Sequence, residues 1–296
     1  MSKIVSLDPN SLTLSELHGY LLAAVAPRPI ALASTIDTDG RVNLSPFSYF
    51  NIFSASPPVA IFSPARSGRD NSIKHTLENV QQVPEVVINL VNHAMVEQVS
   101  LASTAFPRGV NEFKKSGLTE LASDLVKPPR VGESPVAFEC SVNQVVPLGD
   151  QGGAGNLVIS EVIRIHLKSE YLDANNALMT DKLDLVGRMG GAFYVHAFGE
   201  SLFQVSKPQG IGIGVDQLPE SVRSSSVLTG SDLAKLGGLN KTPTEAELLK
   251  WKQSDELRAL LQHANALESL HQLAKDMIDQ HQTEAALKTL LVADNL

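Results

Sequence analysis

Three stretches within residues 27–76 decide the reading of this chain: Pro27-Arg-Pro-Ile-Ala-Leu-Ala-Ser-Thr35, Asn43-Leu-Ser-Pro-Phe-Ser-Tyr-Phe-Asn51 and Ser63-Pro-Ala-Arg-Ser-Gly-Arg-Asp-Asn-Ser-Ile-Lys-His-Thr76. The first predicts a strand over Pro29 to Asp37 that carries paired hydroxyls at Ser34 and Thr35, with Thr38-Asp39-Gly40 as a tight turn into the next strand. The second sets small polar groups and aromatics around a proline. The third leaves a short strand at Val59–Ser63, crosses a polar loop and enters a helix expected over Asn71 to Gln81. Unpaired N–H groups and the helix dipole at such a start favour an anion. Arg66, Arg69 and Lys74 add cations there, and Ser72 and Thr76 add hydroxyl donors. A ligand matching all three stretches has a phosphate at one end, a hydroxylated linker and a flat aromatic system, and FMN is such a molecule. Ser and Thr also occupy strand ends and helix caps in unrelated proteins, so these residues by themselves leave the ligand open.

Working outward, short apolar or alternating runs broken by Gly, Pro and Asn extend from Tyr20 to Pro208, which is a strand signal. Further strands are expected at Glu85 to Val91, Pro135 to Pro147 and Asn156 to Lys168, the last two pairing as a hairpin across Gly149–Gly155. Helices interrupt them at Asn71 to Gln81 and His93 to Ser103. Many strands with a few inserted helices point to a barrel rather than a doubly wound sheet. The domain expectation is therefore residues 1–208 as a β-rich unit and 209–296 as a helical extension.

In the extension, Ser231 to Leu236 predicts a short helix stopped at Gly237-Gly238, and Thr242-Pro243-Thr244-Glu245 fits a capping box with Thr242 at the cap. Leu257, Leu260, Leu261, Ala264, Leu267, Leu270, Ala274, Met277 and Ile278 recur at helical spacing and predict one long amphipathic helix, followed by another over Thr283 to Val292. That apolar stripe must be covered, by the barrel, by a dimer mate or by another protein. His263, His271 and His281 lack the i, i+4 spacing of a helical metal site and read as solvated.

The formal net charge of −8 and the lack of any basic run argue against nucleic acid as a partner. No apolar stretch reaches the ~20 residues of a spanning helix, and no signal peptide is evident, so the expectation is no membrane association and a cytoplasmic protein. The single cysteine, Cys140, lies in an apolar run and reads as a buried strand residue; one cysteine forms no intrachain disulfide, and the sequence offers no recognisable metal-ligand set. Gly210-Ile-Gly-Ile-Gly214 lacks the spacing of a dinucleotide fingerprint.

Pro27-Arg-Pro-Ile-Ala31, Ser34-Thr35, the Asn43–Asn51 stretch and Lys74-His-Thr76 resemble the flavin reductase-like family of FMN-binding split barrels, flavoredoxin among them. Ala105–Phe113, Ser134–Cys140 and Val186–Tyr194 follow in the family's order, so the resemblance covers about two thirds of the chain. It implies an antiparallel, six-stranded Greek-key split β-barrel, mainly β with added helices, and a homodimer that binds FMN non-covalently near its interface. The loop Phe106–Phe113 is a candidate for the contact with the second copy. By the same resemblance Ser34 and Thr35 lie along the isoalloxazine edge, while Asn43, Ser45, Phe47 and Ser48 line the ring and ribityl chain. Ser63, Ser72, Lys74 and Thr76 hold the phosphate, and Arg28, Arg69 and Arg188 complete the cofactor set. The family often has Trp where Leu32 stands and Lys-Asp-Thr where this chain has Lys74-His75-Thr76, and residues beyond Pro208 match nothing recognised.

The activity implied is an oxidoreductase that moves a hydride from NAD(P)H, the co-substrate, to flavin and passes electrons to a further acceptor, a redox partner protein among the options. Hydride transfer between stacked rings needs alignment more than an acid or base, so no catalytic proton donor is assigned. Two alternatives stay open: a split-barrel flavoprotein reduced by a protein donor, and a non-enzymatic flavin binder whose helical tail docks a partner.

Overall fold

The computed structural model describes residues 3–207, 210–262 and 265–294. The chain divides into two compact units, Met1–Phe203 and Gln204–Leu296.

In the first unit, helix α1 (Leu14–Ala24) precedes strands β1 (Ala31–Ile36), β2 (Val42–Phe47), β3 (Phe50–Ala55) and β4 (Pro58–Phe62). Helix α2 (His75–Gln82), β5 (Glu85–Leu90), α3 (Val96–Ala102), α4 (Glu112–Ser116), β6 (Glu120–Leu121) and β7 (Arg130–Val131) follow. The long hairpin β8 (Val136–Pro147) and β9 (Asn156–Leu167) and the short hairpin β10 (Val186–Arg188) and β11 (Tyr194–His196) complete the unit. Seven strands form one sheet in the order β2-β1-β5-β8-β9-β4-β3, with every pairing antiparallel.

The two ends of that sheet, β2 and β3, are separated in the chain by only Ser48 and Tyr49. A sheet whose ends are joined by so short a link must curl until they meet. The Phe47 and Phe62 rings meet across the corner with centroids 5.3 Å apart, and Ser63 N donates to Tyr49 O at 2.9 Å. Counted as one bent strand, β2 and β3 give the expected six. Ala31, Ala33, Phe47, Phe62, Ile88 and Cys140 fill the interior, with Leu77 and Val80 of α2 packed against them. Fully burying a side chain of the Phe or Ile class contributes about 1.5–3 kcal/mol, so this cluster dominates the barrel's stability. The outer face of β1 and β2 is covered in turn: Leu32 and Leu44 pack with Val99 of α3 and Phe113 of α4. Every residue of β1 is therefore buried. Cys140 is fully buried as expected, and burial, aided by Glu139, pushes its thiol up to about 12.

Helix α2 starts four residues later than the sequence predicts. Asn71 sits in the left-handed region (φ 58°), held by Arg66, whose Nε donates to Asn71 Oδ1 at 2.6 Å. Residues 67–74 thus form a loop rather than a first turn.

The second unit contains α5 (Glu220–Arg223), α6 (Gly230–Gly237), α7 (Glu245–Lys252), α8 (Asp255–Leu260), α9 (Ala266–Asp279) and α10 (Thr283–Ala293). The expected single long helix is two, α8 and α9, so the stripe is broken between them; Ala264 and His263 lie outside the described residues. After the break the buried face of α9 is Leu270, Ala274, Met277 and Ile278. Ala274, Met277 and Ile278 pack on Leu236 of α6 and Ala286, Leu287 and Leu290 of α10, and Leu270 packs with Leu257 of α8 and Val292 and Ala293 of α10. The stripe is covered by helices of its own unit, whereas the sequence points to the barrel, a dimer mate or another protein. Leu267, expected on the buried face, is 45% exposed in the first turn. His271, read as solvated, is buried, with Nδ1 2.8 Å from Ser225 Oγ; His281 is exposed. The capping box lies at Thr244 and Glu247 rather than at Thr242, which places both Glu245 and Glu247 in the first turn against the helix dipole. The glycine run makes a close backbone contact: Gly214 N donates to Gly237 O at 2.9 Å, and a Cβ on Gly212 would lie 2.5 Å from the same oxygen. Among the described residues no helix is long and apolar enough to cross a membrane.

Candidate flavin site

Adjacent strands β1 and β2 place Thr35 opposite Asn43. Helix α2 lies over them and presents Thr76 and Asn79 one turn apart, the i, i+3 spacing that puts two side chains on one face. Asn43 Nδ2 donates to Thr76 Oγ1 at 2.9 Å, and Asn79 Nδ2 donates to Thr35 Oγ1 at 3.1 Å. All four residues are buried. This polar square fixes the start of α2 on the sheet.

The start itself is open. Lys74 holds the N-cap position and makes no capping bond, because an ammonium has no acceptor. The usual Ser, Thr, Asp or Asn would have satisfied a first-turn N–H. Lys74 is exposed, and so is Arg69 five residues earlier in the loop that leads into it. The loop that carries them is braced from below. Arg66 NH2 donates to Asn71 O at 2.8 Å, Asn71 Nδ2 donates to Asp150 O at 2.9 Å, and Gly153 N donates to Arg66 O at 3.0 Å. The tip of the β8–β9 hairpin thereby supports the loop. Ser72 Oγ donates to Asp70 Oδ1 at 2.7 Å; hydrogen bonds from Ser67 and Ser72 hold Asp70 down at about 2. Ser63 Oγ accepts from Asn156 N at 3.0 Å, and a Cβ on Gly155 would fall 2.7 Å from that oxygen, so a larger residue there would push the Ser63 hydroxyl off this bond.

A second group of residues surrounds the β2–β3 corner. Arg28 N donates to Arg188 O at 2.9 Å and Arg188 N to Arg28 O at 2.8 Å, joining β10 to the start of β1. The Arg28 guanidinium is buried and donates to Leu22 O, to Val25 O at 2.6 Å, to Met189 O at 3.0 Å and, through Nε, to Ser48 Oγ at 3.3 Å. Burial lowers its pKa, Tyr49 opposes that, and Arg188 adds to it. Arg188 stands 4.6 Å from the Tyr194 ring centroid and donates to Gly191 O at 2.9 Å.

The thirteen sequence-derived residues thus divide in two. Arg28, Ser34, Thr35, Asn43, Phe47, Ser63 and Thr76 are buried, whereas Ser45, Ser48, Arg69, Ser72, Lys74 and Arg188 are half-buried or exposed. Ser34 and Thr35 point to opposite faces of β1, as neighbours on a strand must, and Ser34 Oγ finds no partner. Phe47 belongs to the barrel interior. The accessible members are Arg69, Ser72 and Lys74 in the loop before α2, Ser45 on β2, Ser48 at the corner and Arg188 on β10.

Sequence reasoning missed Asn79, Asn156 and Glu112. Asn79 was legible, being three residues beyond Thr76 on the same helix. Glu112 is buried and accepts from Leu44 N at 2.9 Å, which ties the start of α4, at the end of the 106–113 loop, to β2. Arg108 in that loop pairs with Glu78 and lies 3.6 Å from Asp37. The loop proposed for a dimer contact is thus anchored to its own barrel. Asp37, Arg41, Asn43, His75, Asn79 and Arg108 line a small pocket there. Burial pushes the Glu112 carboxyl up, and burial with the charge of Arg108 pushes His75 down, Glu112 opposing and Lys74 adding.

A sequence profile of the flavin reductase-like domain matches residues 23–183, more than half of the chain. An uncharacterized protein of Aquifex aeolicus is 39% identical over 189 residues, which covers 64% of this chain and 94% of that protein. The structure of nitrilotriacetate monooxygenase component B from Bacillus cereus superposes with a TM-score of 0.64 at 26% identity, covering 69% of this chain and 100% of that one. Flavoredoxin of Desulfovibrio vulgaris gives a TM-score of 0.51 at 22% identity over 61% of this chain and 91% of its own, a likeness of fold. The match covers β1 through β9, the open curled sheet and the loop that leads into α2, and the chain belongs to the flavin reductase-like family of split-barrel flavoproteins.

Proposed function

We propose that this protein is an FMN-binding flavin reductase that takes a hydride from NAD(P)H and delivers electrons to a further acceptor. The observation that carries the reading is the uncapped start of α2. Lys74 stands exposed there two residues before the buried Thr76 that Asn43 holds, and Arg69 is exposed earlier in the same loop. In this reading the phosphate sits against Lys74, Arg69 and Ser72, and Ser45 and Ser48 face the ribityl and ring portion, with Arg188 beyond them. Arg28, Ser34, Thr35, Asn43, Phe47, Ser63 and Thr76 act from below, by holding backbone and loop in place. Bound flavin supplies the capacity to accept a hydride and to release electrons singly or in pairs. The chain's own task is to orient the ring and leave one face open to a nicotinamide.

We also propose a homodimer. Tyr49 in the β2–β3 corner, Ile52 and Phe53 on β3, and Ile163, Ile165 and Leu167 on β9 are exposed apolar side chains. Exposed apolar surface of this kind marks a contact face. The structural likeness to a monooxygenase component B supports a partner protein as the electron acceptor.

Purified protein should be yellow and release FMN on denaturation, and anaerobic mixing with NADH or NADPH in a stopped-flow instrument should bleach the flavin band within seconds. A flavin that stays oxidised for minutes with both nucleotides would overturn the reductase reading.

A further inference from the structure

His93, Asp184 and His196 come from three places in the chain and meet at one. His93 opens the turn after β5, Asp184 precedes β10, and His196 ends β11. One ligand atom from each lies within 4.8 Å of the others. The geometry points to a site for a divalent transition ion of the Zn²⁺ class, bound by two imidazoles and one carboxylate.

The backbone, rather than chance side-chain positions, brings the three together. His93 N donates to Asp184 O at 2.8 Å, Ala197 N donates to Leu185 O at 2.9 Å, and Val186 pairs with His196 across the hairpin. Asp184 takes a left-handed conformation (φ 54°), which Asp adopts more readily than most residues other than glycine. The rings are ordered as well. His93 and His196 stack with centroids 4.2 Å apart and planes 17° from parallel, and Phe198 stacks on His196 with centroids 5.4 Å apart and planes 11° from parallel. An ion lies in the plane of each imidazole that binds it, so the two rings would have to turn out of this stack to share one.

His196 Nε2 stands 2.5 Å from Asp184 Oδ1. Ligands on a tetrahedral ion, with bonds of about 2.0–2.1 Å, are roughly 3.3 Å apart. Binding would therefore require side-chain rotations that open the His196–Asp184 contact and bring the His93 nitrogen closer. Two imidazoles with one carboxylate suit Zn²⁺ and its neighbours better than Mg²⁺ or Ca²⁺, which prefer an all-oxygen shell. Three protein ligands leave a fourth position for water. His93 is exposed, so an ion has a route in. The bound ion would clamp the base of the hairpin that presents Arg188.

The other His-containing cluster, Asp124, Glu139 and His166, is of a different kind. Glu139 already accepts from Asp124 N at 2.7 Å, Leu125 N at 2.7 Å and Val126 N at 3.2 Å. Its carboxylate is committed to those donors.

The test is titration of the chelator-treated full-length protein with Co²⁺ and Zn²⁺, read by the visible Co²⁺ bands and by calorimetry. One equivalent per chain is expected. It should be lost in His93→Ala and His196→Asn, and kept in the control His18→Ala, which alters an exposed histidine of α1. Loss of a supporting partner alone weakens metal sites by 10–100-fold, so removal of a direct ligand should cost at least about tenfold. Unaltered binding in the His93→Ala/His196→Asn double variant would overturn the assignment. So would the lack of any binding tighter than that of the double variant, which would leave an ordinary histidine–carboxylate contact. Should the His196 variant fail to fold, wild-type protein still decides. Co²⁺ must shift the imidazole resonances of His93 and His196, and shifts confined to other histidines would refute the site.

Discussion

Asn43 on β2 and Thr76 in the first turn of α2 are joined side chain to side chain at 2.9 Å, and both are buried. The pair fastens the helix whose open start is the proposed anion site. Thr76→Val keeps the shape and removes the acceptor, which strands the Asn43 amide. An orphaned buried donor costs about 1–3 kcal/mol. We expect a lower urea midpoint with an unchanged m-value, and near-complete recovery in Thr76→Ser. A Val variant as stable as wild type would mean the amide turns to another partner.

Lys74→Ala should weaken FMN by about tenfold to a hundredfold and riboflavin far less, because a charge-assisted hydrogen bond contributes roughly 1.5–3 kcal/mol. Asp70→Asn should act in the opposite direction. Asp70 is charged at any working pH, being held at about 2, and it stands in the same loop. Removing that charge should tighten FMN at low salt and leave riboflavin unchanged. Fluorescence titration with the two flavins measures both. Equal losses for FMN and riboflavin in Lys74→Ala would place the phosphate elsewhere.

Two buried glutamates predict opposite pH behaviour. Burial pushes Glu112 up, outweighing the Leu44 N–H bond, so the native state holds this proton more tightly than the unfolded chain does. That contribution is present below the unfolded carboxyl value of about 4.3 and is lost as the pH rises through the native value. Glu112→Gln keeps an acceptor for Leu44 and removes the ionisation. It should be at least as stable as wild type at pH 7, with the advantage vanishing towards pH 4. A Gln variant less stable at pH 7 would show that the charge itself is needed.

Burial also raises Glu139, but the N–H groups of Asp124 and Leu125 and the adjoining His166 outweigh it, and the net shift is downward. Its stabilisation is present above about pH 4.3 and is lost as the pH falls through the native value. Glu139→Ala should be among the most damaging single changes, at about 1–3 kcal/mol for each backbone donor left without a partner. Thermal melts from pH 7 down to about pH 3 would show the penalty shrinking below the unfolded carboxyl value.

A chain ending at Phe203 should bind FMN as the full chain does, since every residue in the proposed site lies in the first unit. A large loss of affinity on truncation would give the helical unit a part in the site.

Much of this was legible from residue order. The stretch from Pro27 to Thr76 carries the family's signature, and its hydroxyls and cations do gather around β1, β2 and the start of α2. What could not be read was which of them face solvent. Ser34 and Thr35 look like polar ligands, yet β1 is covered on both faces by α2 and by α3 with α4, elements that arrive much later in the chain. The helix start was read too early because Asp70, Asn71 and Ser72 mimic a cap, while the Arg66 brace that turns Asn71 left-handed depends on the tertiary fold. Glu112 and Glu139 look like surface acids until the backbone amides they serve are known.

The curled sheet also has a consequence in time. Strand β4 pairs with β9, Ala60 lying opposite Ser160. At a synthesis rate of roughly 5–20 residues per second, a gap of about a hundred residues keeps β4 without that partner for about 5–20 s after it leaves the ribosome. Through that interval the β3–β4 hairpin shows the nascent chain an unpaired edge, with the Phe62 side chain not yet enclosed. The first unit of this protein is therefore most vulnerable to aggregation while it is being made, and that vulnerability ends only when the β8–β9 hairpin emerges.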